Sequence, residues 1–159
     1  MDRRTFIKGA ALSSASIGLV SLVNAAELYF PSKVDKTLFE GINRVKDPAK
    51  KTHLEETHAP FIVAPRSVKA DEPFSVEVSV GESLHIMTPS HWIEYIQLSI
   101  GNEPAGRIDF QPRGYMQPKV KFNVVLSKEA APDGKVTLVT TQHCNLHGTW
   151  ESTFDVKVT

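Results

Sequence analysis

Six histidines and one cysteine are the residues of this sequence with most chemistry to offer: His53, His58, His85, His91, His143, His147 and Cys144. Imidazole and thiolate are borderline and soft ligands, which select iron, copper or zinc over magnesium or calcium. Taken singly, each has a plain reading, a solvated surface histidine or a cysteine that behaves as a small buried hydrophobe. Taken together, they make a donor set for one metal ion, provided the fold brings them to one place. A cysteine with two histidines and an axial methionine would suggest blue copper, and Cys144-Asn145-Leu146-His147 could begin such a motif. No methionine follows His147, however, and the histidines outnumber what a trigonal copper site uses. A tetrahedral zinc site would leave at least one of five good ligands idle.

The elements that must position these residues are strands. Phe74, Val76, Val78 and Val80 alternate with Ser75, Glu77 and Ser79, the period-two pattern of a half-buried strand. Further strands are expected at 61–65, 92–100, 105–110, 119–126, 135–143 and 150–158, seven in all with 74–80. Gly101-Asn102-Glu103-Pro104 and Pro132-Asp133-Gly134 supply the preset φ and the tolerance of positive φ that tight turns need. The expected fold is all-β, a seven-stranded immunoglobulin-like sandwich. If consecutive strands reverse direction, segments 52–59, 81–91, 111–118 and 144–149 gather at one end. All six histidines and the cysteine then fall on or beside one rim.

Residues 1–25 read as an address. Arg3-Arg4 opens a basic stretch, Gly9 to Val23 is a weakly apolar run diluted by serines, and Val23-Asn24-Ala25 precedes Ala26 with small residues. The run is shorter than the roughly 20 residues a membrane span needs, so a cleaved twin-arginine export signal and a periplasmic protein are expected. An arm over 26–51 follows, with one short helix expected near 36–45, and then a single domain over 52–159. Without residues 1–25 the chain carries 15 Lys+Arg against 17 Asp+Glu, which gives no electrostatic footprint for nucleic acid. A lone cysteine in an exported protein has no disulfide partner and is either buried or bound to something.

Glu56-Thr57-His58-Ala59-Pro60, then His85 and His91 six apart, then Cys144-Asn145-Leu146-His147-Gly148-Thr149-Trp150-Glu151, resemble the superoxide reductase family, which includes neelaredoxin and desulfoferrodoxin. The resemblance runs from about His53 to the C-terminus. It implies one mononuclear non-haem iron, with His58, His85, His91 and His147 as equatorial ligands, Cys144 as the axial one and the sixth position open. It implies one-electron reduction of superoxide to hydrogen peroxide, with re-reduction by an external electron donor such as a small redox protein, and it allows a homo-oligomer. Glu56 stands where the family has a glutamate that closes the sixth position of the ferric form; its plainer reading is a solvated carboxylate beside Glu55. His53 and His143 match no ligand position. Thr57 replaces the family's usual lysine, so either another basic group near the rim, such as Lys50, Lys51 or Arg113, supplies the charge that attracts the anion, or capture is slower. With one cysteine, the chain lacks the four-cysteine rubredoxin-like centre of some members. The competing reading is a periplasmic β-sandwich electron-transfer protein, with copper or iron and no superoxide turnover.

Overall fold

The computed structural model of the chain describes residues 36–159. The export-signal reading and the first part of the arm lie outside the described residues. A 3-10 turn, η1 (Lys36–Phe39), leads to the two-residue strand β1 (Ile42–Asn43), and a short helix, α1 (His53–His58), precedes the sheets. Strands β2 (Pro60–Val63), β3 (Ser67–Val68), β4 (Pro73–Val80), β5 (Ile93–Ile100), β6 (Glu103–Asp109), β7 (Lys119–Val125), β8 (Lys135–Cys144) and β9 (Gly148–Val158) complete the chain. All seven expected strands are present, as β2 and β4 to β9. The helix expected near 36–45 is replaced by η1 and β1. Asn43 favours that arrangement, because its Nδ2 donates to the Leu38 carbonyl at 2.8 Å and closes the loop on itself.

The strands form two sheets. One has the order β1-β9-β8-β5-β6, with β3 also paired to β9, and the other has the order β2-β4-β7. Consecutive long partners are antiparallel, as β5 with β6 and β8 with β9 are, whereas β1 and β3 run parallel to β9. Alternation makes the core. Val76, Val78 and Val80 on β4 face Ile96, Leu98, Leu138 and Val156 of the larger sheet, all essentially without solvent exposure. Each such aliphatic side chain contributes roughly 1.5–3 kcal/mol on burial.

One irregularity directs the metal end of the sheet. On β5, Ile93 is opposite Cys144 and Tyr95 opposite His143, so two steps on β5 meet one on β8 and the register shifts. A bulge of this kind re-aims the side chains beside it. Ile93 and Ile96 thereby both point inward, while Tyr95 stacks on His143 with ring centroids 6.0 Å apart.

Candidate metal centre

Each ligand-bearing element has its own local cause. Thr52 caps α1 by accepting the Glu55 N–H, and Glu55 Oε2 accepts the Thr52 N–H at 2.7 Å, a reciprocal capping box. Glu55 is buried, and its other oxygen accepts the Lys46 N–H at 2.9 Å, which ties the arm to the helix. Those backbone donors hold its carboxyl below the usual range. The helix stops after six residues because Ala59 precedes Pro60, which pushes Ala59 to extended backbone. His58 is therefore the last helical residue.

The 81–91 segment starts with Gly81 at φ 80°, where a Cβ would lie 2.3 Å from the Ser83 carbonyl and 2.7 Å from that of Thr57. His85 is set by its N–H donating to Val80, and His91 by a small ring of bonds with Thr88. Cys144 ends β8 and pairs with Gly148, so the turn carrying His147 is the tight end of the β8–β9 hairpin. The Trp150 indole N–H donates to the His147 carbonyl at 2.9 Å.

The side chains converge. The ligand atoms of His58, His91, Cys144 and His147 all lie within 4.8 Å of one another. His85 Nε2 joins them, 3.1 Å from His58 Nε2 and 3.0 Å from His91 Nε2, and His91 Nε2 lies 3.2 Å from His147 Nδ1. Cys144 Sγ stands 3.2 Å from His91 Nε2, 3.5 Å from His147 Nδ1 and 3.8 Å from His85 Nε2. The three successive nitrogen–nitrogen edges are near 3.1 Å, and a square of that side has its centre about 2.2 Å from each corner, close to the zinc–imidazole distance of about 2.0–2.1 Å.

Proton bookkeeping supports a cation at that centre. His58 Nδ1 donates to the Leu54 carbonyl at 3.0 Å and His85 Nδ1 donates to that of Ile86, an assignment made from the bonding network. Their Nε2 atoms then carry lone pairs aimed at each other's neighbourhood. Burial, reinforced by the neighbouring histidines, pushes His58 down to about 3 and His85 and His91 down to about 4, so all three are neutral at physiological pH. Burial pushes the Cys144 thiol up to about 11. Neutral imidazoles, with the Nε2 lone pairs of His58 and His85 turned to one point beside a thiol that can give up its proton to a cation, are a ligand set.

A pocket of about 510 Å³ opens on the four histidines and is further lined by His53, Leu54, Thr57, Ser83, Leu84 and Ile86. Cys144 is fully buried and does not line it. The histidine square therefore has a sulfur side and a solvent side.

The remaining candidates separate. Glu56 is exposed, and its side chain is not among the pocket lining. His53 lines the pocket without joining the square, and His143 packs against Phe39 and Tyr95 while bonding Thr149. Thr57 has a use that the sequence did not disclose: its hydroxyl sits 2.9 Å from His58 Nδ1 and donates to the His53 carbonyl. Lys51 is paired with Glu82, and Lys50 lines a different pocket beside the arm.

Fold and site together define a β-sheet metalloprotein with a mononuclear His/Cys centre at one sheet end. The chain matches the desulfoferrodoxin family model over residues 50–153, and it belongs to that family. A Methanocaldococcus jannaschii protein named "Putative superoxide reductase" is 40% identical over 116 residues, covering 72% of this chain and 92% of that one. A Thermotoga maritima protein of the same name is 30% identical, covering 65% of this chain and 88% of that one. The solved superoxide reductase (neelaredoxin) from Ignicoccus hospitalis superposes with a TM-score of 0.62 at 36% identity, covering 80% of this chain and all of that one.

Proposed function

We propose that the protein is a superoxide reductase, which converts superoxide to hydrogen peroxide with one electron from an external donor and two protons from water. The observation that carries this reading is the near-square set of imidazole nitrogens with a buried sulfur on one side and a pocket on the other. His58, His85, His91 and His147 would hold a mononuclear non-haem iron laterally, with Cys144 behind. Bound there, iron alternating between its ferrous and ferric states supplies the one-electron chemistry, and a strongly donating thiolate tunes it.

The chain's own residues do the rest. The neutral imidazoles of His58, His85 and His91 add no charge of their own, so the positive charge that draws an anion to one point would be the ion's, less that of the thiolate. The pocket admits a small anion and water, while Leu84 and Ile86 form an apolar, exposed rim. Glu56, an exposed carboxylate two residues before His58, is our candidate for closing the solvent side in the oxidised form. Glu56→Ala should then raise the affinity of the ferric protein for azide; an unchanged affinity would return Glu56 to an ordinary surface carboxylate.

Pulse-generated superoxide mixed with ferrous protein tests the activity. A reductase yields one peroxide per superoxide and one oxidised iron, with no dioxygen. Dioxygen release with half that peroxide would make it a dismutase instead.

We further propose that Arg3-Arg4 direct export by the twin-arginine route, that the donor is a small redox protein, and that copies of the chain associate. Replacing both arginines by lysine should leave folded, metal-loaded protein in the cytoplasm. Unchanged export would remove the first of these proposals.

A further inference from the structure

Cys144 stands between two side-chain carboxamides, each of which grips the backbone of a different histidine-bearing element. Gln142, fully buried on β8, donates from Nε2 to the His58 carbonyl at 2.9 Å. Asn145, on the following turn, accepts the Trp92 N–H on Oδ1 at 2.9 Å and donates from Nδ2 to the Ser90 carbonyl at 3.0 Å. Its own N–H donates to the Trp92 carbonyl at 3.1 Å. The two residues flanking His91 are thus both held by Asn145, and the last residue of α1 is held by Gln142.

We propose that Gln142 and Asn145 are positioning residues that fix His58 and His91 against the Cys144 end of β8, so that the imidazoles converge before a metal arrives. The proposal rests on the metal-centre reading above but not on which anion the centre reduces. Two features argue that these amides do more than fill space. Gln142 Oε1 has no hydrogen-bond partner among the described residues, and a buried orphan of that kind costs stability that an aliphatic side chain of similar volume would avoid. What Gln142 supplies against that cost is the Nε2 bond to the His58 carbonyl. Asn145 serves as acceptor and donor at once, one for each side of His91, whereas an ionised carboxylate supplies only the acceptor and an aliphatic side chain supplies neither.

The alternative is that both residues merely stabilise the fold. Apo-protein titrated anaerobically with Co(II) separates the two, because its visible bands report ligand geometry and its affinity reports preorganisation. Asn145→Ala should weaken Co(II) binding by about 10- to 100-fold, the usual effect of losing a group that orients a metal ligand, and should displace the bands. Asn145→Asp, which keeps the acceptor for the Trp92 N–H, should fall between Ala and wild type. It also carries the test if the Ala variant does not fold. Gln142→Leu removes the orphan oxygen, which offsets the bond lost at the His58 carbonyl, so it should fold, yet it should bind Co(II) more weakly than wild type. Wild-type affinity and unmoved bands in Gln142→Leu and Asn145→Asp would overturn the proposal. Tight Co(II) binding by the wild-type chain, together with no superoxide consumption by the same chain loaded with Fe(II), would sink the functional reading and leave this one standing.

Discussion

The thiol of Cys144 and the imidazoles around it enter metal binding in opposite protonation states. Burial raises the thiol to about 11, above its ordinary value, so the apo-protein holds on the sulfur at neutral pH a proton that a metal must displace, whereas His58, His85 and His91 are already neutral above about 4, with a nitrogen lone pair to offer. A metal that takes the sulfur as thiolate must expel that one proton. Uptake of Fe(II) by apo-protein near pH 7 should therefore release about one proton per ion, and affinity should rise with pH across the neutral range, where the thiol is still protonated. Calorimetry in buffers of different ionisation enthalpy measures the count, and release near zero would show that the sulfur is not a ligand. Cys144→Ser makes the same point in the visible spectrum: the ferric sulfur-to-iron band should vanish. Thr57 shows how a single residue misleads when read for charge alone. As the replacement for a lysine it looks like a deficit, yet its hydroxyl meets His58 Nδ1.

Among the elements, α1 is the one whose short length demands the most support. Six residues cannot sustain a helix in isolation, so its capping box and its tie to Lys46 carry unusual weight. Thr52→Ala should cost about 1 kcal/mol, as lost caps usually do, read as a lower denaturant midpoint at unchanged slope. Glu55 adds a pH dependence. Its folded pKa lies below the unfolded value, so its stabilisation is present above that unfolded value, about 4.3, and is lost as pH falls through the folded one. Glu55→Gln should flatten acid unfolding in that window. Gly81 joins β4 to the same helix in a left-handed conformation crowded by three carbonyls, and Gly81→Ala should cost at least about 1–3 kcal/mol, seen as a drop in Tm. Sequence pattern did not reveal α1, because six residues hold less than two turns of a 3.6 period. Nor did it reveal β1 and β3, which are two residues each and pair in parallel with β9 through backbone bonds that carry no side-chain signature. The long strands were legible because β4 and β8 bury every second residue along most of their length.

At the scale of the whole molecule, two sheets share one aliphatic core and the metal residues sit at its end. Leu138, on β8 and without solvent exposure, lies in that core. Leu138→Ala should cost about 2–5 kcal/mol, measured by chemical denaturation of the apo-protein. The convergence of the candidate ligands was legible for a reason different from that which exposed the strands. Histidine and cysteine are few, so alternating strand directions alone sufficed to put His58, His85, His91, Cys144 and His147 at one end. The carboxamides of Gln142 and Asn145 were not legible as supports, since asparagine and glutamine occur anywhere on a surface and only the fold shows what they hold.

The wide spread of the ligands along the chain bears on kinetics. His58 follows the arm, whereas Cys144 and His147 belong to the final hairpin, and β8 must find β5 across the intervening β6 and β7 before the sulfur faces the histidines. Pairings this remote in sequence form late, because loop-closure entropy opposes them until the rest of the sheet repays it. Colour at the metal centre is therefore a clock for the end of folding. In stopped-flow refolding with ferric ion present, the thiolate band should appear in the slowest phase, after far-ultraviolet circular dichroism has reported formation of the strands.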